Sequence, residues 1–102
     1  MAALIAVYKT PKNVAAFNEH YFAKHAPVAR KIPGLLAYQV SDGPVGLPME
    51  LGGIHLVEIL EFDSVEAIQR GLAAPEGQAT VADLANFADG GVDVMAFNTK
   101  EL

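Results

Sequence analysis

His20 to Gly34, H-Y-F-A-K-H-A-P-V-A-R-K-I-P-G, is the stretch on which the reading of this sequence turns. At about 100° per residue, Val14, Phe17, Tyr21, Phe22, Val28 and Ile32 fall on one broad arc of a helix. Asn18 and His25 project near the middle of the same arc. An amphipathic helix keeps polar groups off its buried face, and a buried polar group needs a partner. The helix therefore carries a polar set, Asn18, Tyr21 and His25, inside its apolar stripe. Either these groups satisfy one another in a core or they line a cavity, and that alternative is the functional question.

Working outward, Asn13 is placed to cap this helix, the pattern extends it to about Lys31, and Pro33-Gly34 ends it. Pro27 inside the pattern removes a backbone hydrogen bond near Ala23, which predicts a kink or a restart. Upstream, Ala3 to Lys9 reads as a strand of β-formers. Downstream, Leu35 to Ser41 is a second strand and Ile54 to Phe62 a third. The connection between them, Asp42-Gly43-Pro44 and Val45 to Gly53, is rich in Gly and Pro and reads as a mobile lid. Asp63 caps a helix from about Ser64 to Ala73, with Glu66 completing an acidic capping box. Pro75-Glu76 opens a further helix to about Ala88. Asp89-Gly90-Gly91 then turns the chain into a last strand, Val92 to Asn98.

The order β-α-β-β-α-(α)-β predicts an α+β, ferredoxin-like subunit with a four-stranded antiparallel sheet. Both alternating sets of the first and third strands contain aliphatics: Leu4/Ala6/Tyr8 against Ala3/Ile5/Val7, and Ile54/Leu56/Leu60 against Val57/Ile59. A sheet with helices on one side leaves its other face polar unless something covers it. A second copy is the expected cover, since symmetric homodimers are the commonest closed assembly.

The totals fit one domain over residues 1–102. Hydrophobic residues make up 52%, with a mean hydropathy of +0.27, yet no apolar run reaches the roughly 20 residues of a membrane helix. No signal peptide is recognisable, and the absence of cysteine excludes disulfide and thiolate chemistry. A net charge of -5 without a basic cluster argues against nucleic acid. The expectation is a cytoplasmic protein with no membrane partner.

F-x-x-H-Y-x-x-x-H-A-P from Phe17, followed by P-G-L at Pro33 to Leu35, resembles the EthD family, named for ethyl tert-butyl ether degradation. F-D-S-V-E at Phe62 to Glu66, A-P-E-G-Q-A at Ala74 to Ala79 and A-D-L-A-N-F-A-D-G at Ala82 to Gly90 are similar to its C-terminal signature. The resemblance implies a dimeric α+β barrel, two ferredoxin-like subunits packed sheet against sheet. That superfamily includes polyketide cyclases, cofactor-free monooxygenases, haem-degrading enzymes and muconolactone-type isomerases. It implies a catabolic role on ethers, aromatics or other xenobiotics. In a related methylisomerase, a functional histidine precedes P-G-L by the same number of residues as His25. The isomerase's second histidine, in the loop after strand two, has no counterpart between Gly43 and Gly53.

His25 and Tyr21 are the candidate catalytic pair. An imidazole titrates near neutrality and passes a proton either way; its alternative is a core histidine bonded to Asn18, Tyr38 or a carbonyl. Asn18, Phe17, Tyr38, Glu58 and His55 are the candidate ligand contacts. Strand alternation puts His55 and Glu58 on opposite faces, so one cavity is not expected to hold both. Glu58 sits among aliphatics, either as a base or paired with Arg30 or Lys24. His20 reads as a rim residue, and Asp83 as fixing a loop or the dimer. The three histidines show no metal-ligand spacing, and no cofactor is expected. The readings are a cofactor-independent isomerase, lyase or cyclase, a non-catalytic accessory protein of a monooxygenase system, or a small-molecule or haem monooxygenase.

Overall fold

The computed structural model describes residues 1–46 and 52–102. Part of the expected Gly- and Pro-rich lid therefore lies outside the described residues. Four antiparallel strands, β1 (Ala2–Lys9), β2 (Ala37–Val40), β3 (Ile54–Phe62) and β4 (Val92–Asn98), form one sheet in the order β2-β3-β1-β4. Helices α1 (Val14–His20), α2 (Ala26–Ala29), α3 (Val65–Ala73) and α4 (Pro75–Asp83) accompany it. This is the ferredoxin-like α+β arrangement that the element order predicts. Beyond β2, Leu36 N–H and Ser41 N–H still bond to the Glu61 and Val57 carbonyls, so the ladder outlasts the four regular residues.

The α-helix restarts at Pro27, as expected: α2 begins at Ala26 with the proline in its first turn. Residues Tyr21–His25 widen into a π turn, in which Ala26 N–H reaches back five residues to the Tyr21 carbonyl. A proline ring collides with the carbonyl four residues before it, and a wider turn relieves that collision. The extra residue also rotates the helix faces. Phe17, Tyr21, His25, Ala26, Ala29 and Ile32 turn inward, whereas Val14 and Phe22, expected on the buried arc, are exposed.

Two smaller departures have local causes. Ser64, rather than Asp63, caps α3, its hydroxyl accepting from Ala67 N–H. The last helix ends at Asp83 and tightens into a 3-10 turn over Leu84–Asn86, short of the expected Ala88.

Between sheet and helices the core forms two clusters. Leu4, Ile32, Leu60, Phe62 and Ile68 fill one end. Tyr8, Phe17, Tyr21, Leu56 and Phe87 fill the other. Among the described residues no helix packs on the outer face of the sheet. Ile5, Val7, Val57, Ile59, Met95 and Phe97 share it, with Ile59 38%, Met95 47% and Phe97 44% exposed. The single chain is only 17 Å thick in its shortest dimension, one sheet and one helix layer.

Candidate active site

The π turn aims His25 at the sheet, where it is 1% exposed. Its Nδ1 lies 2.9 Å from Asp83 Oδ2. A carboxylate can only accept, so Nδ1 carries the proton and Nε2 presents its lone pair inward. The Tyr8 hydroxyl stands 3.5 Å from that Nε2. Asp83, the last residue of α4, also accepts from His20 Nε2 (2.9 and 3.0 Å) and Asn86 Nδ2 (2.8 Å). Burial would raise the Asp83 carboxyl, but these donors outweigh it and hold it below its ordinary 3.8. Phe87 packs against both imidazoles, its ring centre 4.7 Å from His25 and 5.2 Å from His20.

Glu58, on β3, meets all three tyrosines of the sequence. Tyr21 donates to its Oε1 at 2.6 Å, Tyr38 at 3.3 Å and Tyr8 at 3.4 Å, and the Tyr21 and Tyr38 hydroxyls lie 2.6 Å apart. Burial first, and the Glu58 charge second, push all three phenols above their ordinary value. They remain protonated donors. Neither Lys24 nor Arg30 pairs with Glu58 among the described residues, because three hydroxyls take the place of a cation.

Beneath His25 lies an apolar hollow of about 60 Å³, lined by Tyr8, His25, Glu58, Leu60, Thr80 and Leu84 among others. Val81 and Val94 flank it, each about half exposed, on α4 and β4. The hollow has room for a fragment of roughly four to six heavy atoms, at about 10–15 Å³ each. A lone-pair nitrogen, oriented from behind by a carboxylate, thus borders an apolar space. That arrangement can take up a proton and spread the resulting charge toward Asp83.

The sequence-derived candidates do not all meet in one place. His25 and Glu58 border the hollow, while Tyr21 and Tyr38 hold Glu58 from the side and border a separate crevice of about 70 Å³. Phe17 is core, buried among Tyr8, Tyr21 and Phe87. Asn18 and His55 pair with each other at 2.8 Å, at a different cleft. Strand alternation misplaces His55. Tyr8 pairs with Leu56 and Lys9 with Ile54, leaving His55 as the extra residue of a β-bulge. A bulge re-aims its side chain, here onto the helix side, against Phe17 at 4.8 Å. The opposite-face expectation for His55 and Glu58 is therefore incorrect.

Tyr8 and Asp83 complete the site, although the sequence reading gave neither a chemical role. A carboxylate within A-D-L-A-N-F and two histidines five residues apart were the available signal for Asp83. Asp83 turns inward because α4 ends there and the chain tightens. Among the described residues, no group of three or more His, Asp or Glu is placed to hold a metal ion, and no helix is long and apolar enough to cross a membrane.

The EthD domain matches residues 9–91. A Rhodococcus erythropolis protein, described as an uncharacterized 11.0 kDa protein in the thcB-thcC intergenic region, is 38% identical over 97 residues, or 93% of this chain and 90% of that protein. The crystal structure of an EthD family protein from Bacillus halodurans superposes with a TM-score of 0.88 at 37% identity, covering 98% of this chain and 99% of that one. A variant of SnoaB, a cofactor-independent oxygenase from Streptomyces nogalater, superposes at 0.69 with 17% identity, covering 99% and 94%. At that identity, SnoaB speaks for the fold alone.

Proposed function

This chain belongs to the EthD family, and on that footing we propose that it binds the reactive end of a small apolar organic molecule beneath His25 and moves a proton on it without a cofactor. The observation that carries this reading is the His25 Nε2 lone pair, fixed by Asp83 and facing an apolar hollow. His25 is the acid/base. In the low dielectric of the hollow, a positive ring is stabilised chiefly by Asp83 behind it. Glu58 polarises the ligand from the facing strand, and Tyr21, Tyr38 and Tyr8 position Glu58. Val81 and Val94 receive the remainder of the ligand at the mouth. The family's name, ethyl tert-butyl ether degradation, supports a place in xenobiotic breakdown.

The chain works as a homodimer in this reading. Bare aliphatics and Phe97 on the outer face support a second copy there: an uncovered patch of this kind marks an interface. Haem does not fit. A hollow of about 60 Å³ admits only the reactive end of a small molecule and not a macrocycle.

The test is proton exchange in heavy water. With 2-cyclohexenone as probe, the wild-type protein is expected to catalyse deuterium uptake next to the carbonyl, and His25→Gln to lose uptake while keeping affinity. Binding without His25-dependent exchange identifies an accessory protein instead. Absence of both binding and exchange with a panel of such carbonyl compounds contradicts the proposal.

A further inference from the structure

We propose that the cleft between Asn18, Phe22 and His55 is a second binding site, separate from the hollow beneath His25, for a planar aromatic carrying two neighbouring hydroxyls. The cleft measures about 420 Å³, within the range of small-molecule sites. The aromatic cluster of Tyr8, Phe17 and Tyr21 stands between it and His25. Two backbone irregularities shape it. The bulge brings His55 to the helix side, and the π turn carries Phe22 out of the core to 53% exposure. Irregularities of both kinds gather at functional sites.

The polar groups define the ligand. Asn18 Oδ1 can only accept, so His55 Nε2 carries the proton across their 2.8 Å contact. That leaves the His55 Nδ1 lone pair and the Asn18 amide N–H groups without partners among the described residues. Ser41 Oγ accepts from Val57 N–H, which leaves its own hydroxyl proton to give. Asp42, beside it, is an exposed acceptor. Phe22 supplies an aromatic surface, its ring held edge-on by Tyr21 at 5.1 Å.

The cleft thus offers two donors, two acceptors and an aromatic platform. A hydrocarbon would displace the water these four part-exposed polar groups face and offer no hydrogen bond in return. A fixed anion would meet Asp42. Vicinal ring hydroxyls, each able to donate and accept, satisfy all four while the ring stacks on Phe22.

Catechol is the probe, titrated into the full-length isotope-labelled protein and followed by nitrogen–proton NMR. Saturable shifts are expected at Asn18, Ser41 and His55, with His25 and Thr80 unmoved. His55→Gln is expected to bind about tenfold more weakly, equivalent to one net hydrogen bond. Phe22→Ala removes an exposed side chain that the fold does not need, and is expected to weaken binding about fivefold. Benzene is expected not to saturate. The proposal is overturned by shifts at His25 and Thr80 in place of the cleft, by unsaturable binding, or by unchanged affinity in Phe22→Ala. None of these outcomes touches the exchange test of His25, which reads a different site.

Discussion

Asp83 holds His25 and His20 at once, each imidazole N–H within 2.9 Å of its carboxylate. The consequence is a buried ring whose tautomer is fixed, so the inward nitrogen is always the basic one.

Acid stability should report this contact. The folded Asp83 carboxyl lies below its unfolded 3.8. Its contribution is therefore complete above that value and is lost as pH falls toward the folded one. Urea unfolding of wild type and Asp83→Asn is expected to differ most above about pH 5 and to converge as pH falls through the folded value. Curves that stay parallel across that range would mean that the carboxylate is not held by its donors.

The tyrosines make an opposite prediction at alkaline pH. All three are raised, first by burial and then by Glu58. A raised group stabilises fully below its unfolded value, near 10, and that stabilisation is lost as pH climbs through the folded one. Tyrosinate absorbance is therefore expected to appear only with alkaline unfolding, in one step. A fraction titrating freely near 10 in the folded protein would contradict the cluster.

Tyr21→Phe removes the shortest bond to Glu58. We expect a loss of about 1–3 kcal/mol in urea unfolding, as for a buried polar group deprived of a partner. Tyr38→Phe, at 3.3 Å from Glu58 and half-buried, is expected to cost less. Equal, negligible losses would show that the carboxylate does not depend on these hydroxyls.

Ile59→Glu tests the outer face of the sheet. Ile59 pairs directly with Ile5, whose other neighbour is Met95. A charge there should leave the subunit folded but drive a dimer to monomers, because a desolvated lone carboxylate is costly. Sedimentation of the two proteins checks this. A wild-type protein that is already monomeric would refute the paired-sheet reading.

Periodicity made the fold legible. Alternation and turn residues placed the third and fourth strands at the bounds the structure shows, Ile54–Phe62 and Val92–Asn98. A polar set on an apolar helical arc likewise singled out His25. Hidden from those rules were the irregular places. Regular spacing predicts neither a π turn nor a bulge, so it puts Phe22 inside and His55 on the face opposite Glu58. Asp83 escaped because a helix end, rather than a helix face, decides where its side chain points. Tyr8 read as an ordinary strand residue until the Glu58 pairing was visible.

The central claim is that apolar space lies open beneath the basic nitrogen of His25, and a xenon-pressurised crystal tests it most directly. Xenon occupies dry apolar cavities. The account predicts a xenon peak between His25, Leu60 and Leu84. A hollow that takes no xenon, collapsed or filled by ordered water bonded to His25 Nε2, would contradict it.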